Sequence, residues 1–512
     1  MAANHVEEFR ADLAEFKEMT KRFYQKEITV NEYKGFSGGF GSYAQRGGTA
    51  SMLRLRMTGG ELGKEMLSFL ADSIEKYNIN LAHLTTCQSI QLHNLTEATV
   101  CSLIEEAFDH GCITRGGGGD FPRNVMVSPL SGLRKDEPFD VLPYAKEAAD
   151  YLLGLIKTVK LPRKLKVCFS NSSDNEVHAT FRDLGFVANK DHTFDVYSAG
   201  GLGRNPRMGV KVASHIAPEK ILYYIKAMVD TFMAYGNYEN RGRARTRFMQ
   251  EDLGSEGYVK AYNERLASVF ETAQLDITVS EPEITKTGSN TAFSHPRAIA
   301  QKQPGLYAVC YKPAGGNPPI EFFRKLSDAI APMEAVSVRV APDQRMYIIN
   351  CTAKEAQQLI DLTADSAKTR FELSTACIGA SICQVGARDS QALLTACLEA
   401  VKKEDFADNV LPIIHISGCP SSCAAHQVGV LGFRGGVKQT PEGPKPAFAV
   451  YEKGCDALGK ETFGEDLGVM QEAEIPAFLV ELGRAIAAEN STYEVWTEAN
   501  REQFMEIVRK YV

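Results

Sequence analysis

The sequence predicts an α+β protein whose body is a duplicated unit. Three observations carry that reading. At 512 residues the chain is long enough for about three domains. Short alternating apolar and polar runs are interleaved with helical periods of ten to eighteen residues, separated by glycine-rich turns. The third is self-similarity. "TGGELGKEMLSFLADSIEKYN" lies over "AGGNPPIEFFRKLSDAIAPME", and "TTCQSIQLHNLTEATV" over "APDQRMYIINCTAKEA", at one fixed separation without a gap. Gly59 and Gly60 then meet Gly315 and Gly316, Gln88 meets Gln344, and Asn94 with Thr96 meet Asn350 with Thr352. A second correspondence sets "KVCFSNSSDNEVHATFRDLGF" over "IIHISGCPSSCAAHQVGVLGF". Two copies mean a duplication rather than a solenoid.

In chain order, residues 1–35 read as amphipathic helix and 36–135 as the first copy of the repeat. There "SMLRLRMTGG" alternates as a half-buried strand with Arg54 and Arg56 on one face, a helix follows, and a strand pair surrounds "LAHLTTCQSIQLHNL" before a helix from Thr96 to His110. "TRGGGGDFPRNV" reads as a glycine loop, a flexible turn or a place of close approach, followed by a strand carrying Arg123. Residues 136–276 form a first α/β lobe, with a helix over 142–158, Lys164 and Lys166 sharing a strand face in "LPRKLKVCFS", and a long helix over 216–235. The polar stretch 277–302 reads as a linker, 303–366 as the second copy, and 367–512 as a second α/β lobe with a helical tail.

Composition sets limits. With 44% hydrophobic and 24% charged residues this is an ordinary globular composition, and a net charge of -7 argues against nucleic acid as an obligatory partner. No apolar run is long enough to span a membrane, and the charged start is neither a signal peptide nor an anchor, so a cytoplasmic location without membrane association is expected. Twelve cysteines without an export signal point to a reducing compartment. No strand-borne G-x-G-x-x-G opens a helix, which excludes a Rossmann nucleotide site, and His83, His93, His178, His415 and His426 form no spaced metal triad.

Chemistry concentrates in two sets. Cys377 and Cys383 in "ACIGASIC" and Cys419 and Cys423 in "SGCPSSC" depart from zinc-knuckle spacing and read as thiolate ligands of an iron–sulfur cluster. A zinc module and plain buried cysteines are the blander readings. The other set is Arg54, Arg123, Lys164 and Lys166, each beside glycine-rich or strand segments. Singly they read as solvated charges; together they could bind a small oxyanion and supply it with protons. Lysines crowded by other cations have depressed pKa values and donate more readily near neutrality.

These motifs resemble the sirohaem-dependent sulfite and nitrite reductases from about Tyr43 to about Phe433: "YAQR…MLRLRMTGG", "TTCQSIQLH", "RNV", "LPRKLK", "NRGRARTRF" and the two cysteine pairs. The resemblance implies ferredoxin-like half-domains in a pseudo-twofold body and two α/β lobes binding sirohaem and cluster. It implies Cys377, Cys383, Cys419 and Cys423 as ligands of a 4Fe–4S cluster, with Cys423 bridging to the sirohaem iron, and Gln91 as a cofactor contact. Arg54, Arg123, Lys164 and Lys166 match the family's substrate cations. The implied reaction is a six-electron reduction of sulfite to sulfide, fed by a separate donor such as ferredoxin or a flavoprotein. Lys-x-Lys favours sulfite, where nitrite reductases often have asparagine at the second position. Nitrite reduction to ammonia is the alternative, and a non-catalytic iron–sulfur electron carrier the rival of another class. Two departures stand out: Cys87 replaces an arginine that pairs with a sirohaem carboxylate in relatives (His83 lies four residues earlier), and Ser421 replaces an asparagine.

Overall fold

The computed structural model describes residues 3–280, 283–289 and 293–512. The described chain divides into two compact units, one comprising residues 1–201, 207–311 and 318–364 and the other residues 202–206, 312–317 and 365–512.

The first unit holds the first copy of the repeat, the second copy apart from residues 312–317 and its last two residues, and most of one α/β lobe. In the first copy the antiparallel sheet runs Ser42–Ala44, Ser51–Leu55, Ile90–Leu95, Ala82–Leu84, and in the second Ala298–Ala300, Tyr307–Tyr311, Met346–Cys351, Ser337–Val340, closed by Glu61–Leu62 from the first copy. Helices Lys64–Lys76 and Glu97–Asp109 have their counterparts in Phe322–Ile330 and Ala353–Leu362. One core joins the copies, from Phe16, Leu53 and Leu92 to Val309, Leu326 and Ile348.

The duplication extends to the backbone. Gly59 and Gly60 have φ of 61° and 72°, and Gly315 and Gly316 have 59° and 73°. Gln88 and Gln344 lie at 53° and 68°, and Asn94 and Asn350 at 59° and 63°. Left-handed φ is uncommon for non-glycine residues, so its recurrence at matched positions reflects one inherited turn. Thr96 and Thr352 cap the following helices, Thr352 in a reciprocal capping box with Glu355.

The α/β sheet of the first unit is ordered Val210–Ile216, Phe194–Ser198, Leu184–Ala188, Val167–Ser170, Met126–Val127. That of the second unit is ordered Thr375–Ala376, Ile414–Ser417, Leu431–Thr440, Gly443–Glu452, Glu465–Gln471. In each, three strands are parallel and two antiparallel strands follow. A Cβ on Gly185 would fall 1.9 Å from the Ala179 carbonyl oxygen, and one on Gly432 would fall 1.9 Å from that of His426. Only glycine admits that approach.

Several expected elements shift. Arg123, Lys164 and Lys166 precede the strands Met126–Val127 and Val167–Ser170 rather than lying within them. Pairing there is a single parallel bridge between Pro122 and Leu165, made by the Leu165 N–H donating to the Phe121 carbonyl at 3.2 Å and the Arg123 N–H donating to the Leu165 carbonyl at 2.8 Å. The helix expected over 216–235 is Ile221–Tyr235, since Val210–Ile216 is a strand and Pro218 starts a short 3₁₀ turn; the helix over 142–158 stops at Gly154. Of the stretch 277–302, positions 281, 282 and 290–292 lie outside the described residues. Within the rest, Ala298–Ala300 is a strand, and the buried Lys286 ammonium donates to the Glu334 and Asn350 carbonyls at 2.7 and 2.8 Å and to Glu355 at 2.7 Å.

Candidate functional site

The first unit holds all four expected cations, Arg54, Arg123, Lys164 and Lys166. Arg54 ends the strand Ser51–Leu55 opposite Gln91. Its Nη1 donates to the Gly117 carbonyl at 2.6 Å, and Arg123 Nη1 donates to the same oxygen at 2.7 Å while its Nη2 reaches the Gly119 carbonyl at 2.9 Å. The glycine run is therefore no loose turn. A Cβ at Gly118 would lie 2.4 Å from the Gly38 carbonyl oxygen and one at Gly117 2.9 Å from that of Thr114, so the loop packs flat and turns its carbonyls to the guanidinium groups. Gln91, with its amide oxygen toward Arg54, accepts from Nη2 at 2.6 Å and from Nε at 3.3 Å. Arg56, expected on the same strand, lies one residue past its end and is spent on the Arg115, Pro122 and Arg123 carbonyls at 3.0 to 3.2 Å.

Lys166 arrives from the other side of the Pro122–Leu165 bridge. Its backbone N–H donates to Asp183 at 2.8 Å, and its ammonium donates to the Cys87 sulfur at 3.2 Å. Lys164 lies two residues earlier, half-buried. Burial drives the Lys166 ammonium below its ordinary value, against Cys87 and with Arg182 and Arg245. Burial likewise pushes Arg123 down to about 10. At Cys87 burial would raise the thiol, but Lys166, Arg182 and Arg54 outweigh it and hold it at about 6. Tyr43 joins the set: its phenol oxygen accepts the Gly119 N–H at 2.6 Å, and Arg123 and Arg54 overcome burial to keep it below the ordinary phenol value. Asp183, 1% exposed, anchors the far side by accepting from Arg245 at 3.0 Å and from the Thr246 hydroxyl.

Motif reading missed Cys87 as a partner of Lys166, Tyr43, the Gly117 and Gly119 carbonyls, Asp183 and Arg182. The "TTCQ" and "GGGG" stretches were visible signals, but nothing local ties them to Lys166. The arginine motif at 241–247 is largely structural: Arg241 pairs with Asp120 at 2.7 Å, Arg243 with Asp252 at 2.7 Å and Arg245 with Asp183.

Half-buried cations outnumber anions in this set, and Arg123 Nε and Arg245 Nε are buried without a hydrogen-bond partner. Those donors fit a carboxylated macrocycle or a small oxyanion.

In the second unit Cys377 directly follows Thr375–Ala376, and Cys419 comes two residues after Ile414–Ser417, its parallel neighbour. Both sulfurs therefore leave the carboxyl edge of one sheet. The Cys377 sulfur receives the Gly418 N–H at 3.2 Å and lies 3.1 Å from the Ser390 hydroxyl, the kind of hydrogen bond that tunes cluster thiolates. Burial raises the Cys377 thiol even so. The loops interlock: Ala387 and Arg388 donate to the Gly418 carbonyl at 2.9 and 2.8 Å, and a Cβ on Gly435 would fall 2.4 Å from that oxygen. Cys383 is half-buried and Cys423 exposed. Among the described residues no three His, Cys, Asp or Glu side chains converge closely enough to hold a single metal ion. A cubane, which sets its own iron and sulfide between the thiolates, asks for a wider arrangement, and two interlocked loops with a hydrogen-bonded thiol suit it.

A family model described as the nitrite and sulphite reductase 4Fe-4S domain matches residues 118–270, and one for the nitrite/sulfite reductase ferredoxin-like half domain matches residues 43–107. The four cysteines lie outside both stretches. A sulfite reductase [ferredoxin] of Mycobacterium tuberculosis is 26% identical over 401 residues, 75% of this chain and 69% of that protein. The chloroplastic ferredoxin–nitrite reductase of Arabidopsis thaliana is 24% identical over 426 residues, 79% of this chain and 70% of that protein. The solved structure of the Mycobacterium tuberculosis NirA protein superimposes with a TM-score of 0.79 at 22% identity, covering 99% of this chain and 97% of that one, and so shares the fold.

Proposed function

The chain belongs to the nitrite and sulfite reductase family, whose cofactors are sirohaem and a 4Fe–4S cluster, and from that premise we propose that it reduces sulfite to sulfide. An oxyanion substrate and a separate electron donor of the ferredoxin type follow from the same relatives. Cys377, Cys383, Cys419 and Cys423 would hold the cluster, and the half-buried cations of the first unit would hold sirohaem carboxylates and substrate. When bound, the two groups would relay to each oxyanion the six electrons that the separate donor delivers.

The chain's own residues do the rest. Arg54 and Arg123, fixed by the Gly117 carbonyl and in the case of Arg54 by Gln91, bind the oxyanion through their guanidinium N–H groups. Lys164 and Lys166 are the lysines of the quartet, and burial of Lys166 lowers the cost of releasing its proton as substrate oxygen leaves as water. Arg54 and Arg123 converging on one carbonyl beside Lys166 is the observation that carries the proposal, since an iron–sulfur carrier alone would have no use for it. The second lysine favours sulfite, a dianion near neutrality.

Nitrite is the second reading, favoured by the engagement of Lys166 with Cys87, which withdraws positive charge a dianion would use. Turnover of both anions by the holoenzyme with reduced viologen decides between them. We expect Lys166→Asn to lower kcat/KM for sulfite by roughly tenfold more than for nitrite; equal losses remove the preference for sulfite. Metal analysis and the visible spectrum test the ligands: Cys419→Ser should lose the cluster's iron, and retention of full iron content would remove that assignment.

A further inference from the structure

Cys87 stands among cations. Its sulfur lies 3.2 Å from the Lys166 ammonium, and Arg182, Arg54 and Arg123 all act on it through space. It is held in place by its backbone: its N–H donates to Thr85 Oγ1 at 3.3 Å, and its carbonyl accepts from Asn124 Nδ2 at 3.0 Å. Its side chain packs against a buried cluster of Met126, Cys168, Val177, Ala179 and Val187. Burial keeps the Cys168 thiol protonated by raising it to about 12, so no other sulfur there carries charge. Asp183, the neighbouring carboxylate, is committed to Arg245, Thr246 and the Lys166 backbone. The Cys87 thiol is thus a titratable side chain in direct contact with the Lys166 ammonium, and its charge near neutral pH is set by the cations around it.

We propose that Cys87 sets the charge of the oxyanion site: as a thiolate it occupies the Lys166 ammonium, and on taking up one proton it frees that ammonium for the incoming anion. The proposal rests on the reading that these cations bind oxyanion. Anion and thiolate compete for one cation and repel each other, so each bound anion drives proton uptake at sulfur. Linkage makes this reciprocal: protonated Cys87 raises anion affinity. Thiolate predominates above a pH of about 6, so affinity falls as pH rises through that value.

Nitrite is the probe, because it stays a monoanion between pH 5 and pH 8, taken here as a range of about three units around the thiol's value. Its dissociation constant is read on the holoenzyme from the haem absorption band across that range, with kcat/KM in parallel, for the wild type, Cys87→Ser and Cys87→Asp. Serine is neutral throughout and should bind with little pH dependence. Aspartate is negative throughout and should bind about tenfold more weakly at every pH. The wild type should follow serine at the acidic end and approach aspartate above neutrality. A wild type that parallels the serine variant over the whole range overturns the proposal. A structural role for Cys87 would shift affinity by a constant factor and leave the slope alone, which also overturns it. Nitrite that binds no variant and not the wild type strikes down the oxyanion reading itself, and this inference with it.

Discussion

His93 illustrates how tightly the residues beneath the cation set are committed. Its ring is 2% exposed, Nδ1 lies 3.2 Å from the Gln45 side-chain oxygen, and Nε2 is buried without a partner. Burial, with His83 and Arg54 adding to it, pushes its pKa down to about 3. Between that value and the ordinary 6.5 the unfolded chain binds a proton that the folded chain refuses. Its contribution to stability is therefore intact above pH 6.5 and is lost as pH falls, by up to about 1.4 kcal/mol per unit. His93→Gln should lessen the drop in unfolding free energy between pH 7 and pH 5 by about 2 kcal/mol; an identical drop in denaturant titrations would show His93 protonated in the fold. Asp183 makes the same point with opposite charge. Burial would raise it, yet Arg245 and Thr246 hold it low, and Asp183→Asn should cost about 3 kcal/mol by leaving Arg245 buried without its partner.

At the scale of elements, the inherited turns are the most exacting parts. Gly60 has φ of 72°, and a Cβ there would sit 2.1 Å from the Val340 carbonyl oxygen. Gln88, 0% exposed, fills the same junction: its amide donates to the Gly59, Val127 and Val340 carbonyls at 3.2, 2.8 and 3.1 Å and accepts the Val127 N–H at 2.8 Å. Gly60→Ala should therefore cost more than about 3 kcal/mol, through both clash and left-handed strain. By contrast Thr352→Ala removes one cap at a helix start and should cost about 1 kcal/mol. Thermal unfolding of the two variants checks the order, and a milder effect at Gly60 would mean that the junction relaxes.

For the whole molecule, all four proposed cluster ligands belong to one compact unit, and all the cations discussed belong to the other. A cluster that closes the loops after Thr375–Ala376 and Ile414–Ser417 should stabilise its own unit first. Removing iron with a chelator, or Cys419→Ser, should raise amide hydrogen exchange in those strands while Val167–Ser170 keeps its protection. Equal loss of protection in both sheets would show that the cluster supports the chain globally. Among the described residues no helix is long and apolar enough to cross a membrane.

The duplication was legible in the linear chain, and the two cysteine pairs and the four cations stood out there as candidates. A turn that needs left-handed backbone keeps the same residues in both copies, and the spacing of cysteines within each pair is a local property of one short loop. Helix and strand boundaries near Gly154 and Pro218 were legible only approximately, because a proline or glycine decides where a ladder or helix stops, whereas periodicity alone does not. What tertiary structure alone decided is which groups meet. Cys87 and Lys166 are 79 residues apart in sequence, and Arg54 and Gly117 are 63 apart. Whether a glycine run is a loose turn or a set of carbonyls aimed at two guanidinium groups, and whether a cysteine is an inert thiol or the counter-charge of a lysine, depends on neighbours brought together across such distances. Electrostatic character belongs to that assembled environment, and no window of sequence contains it.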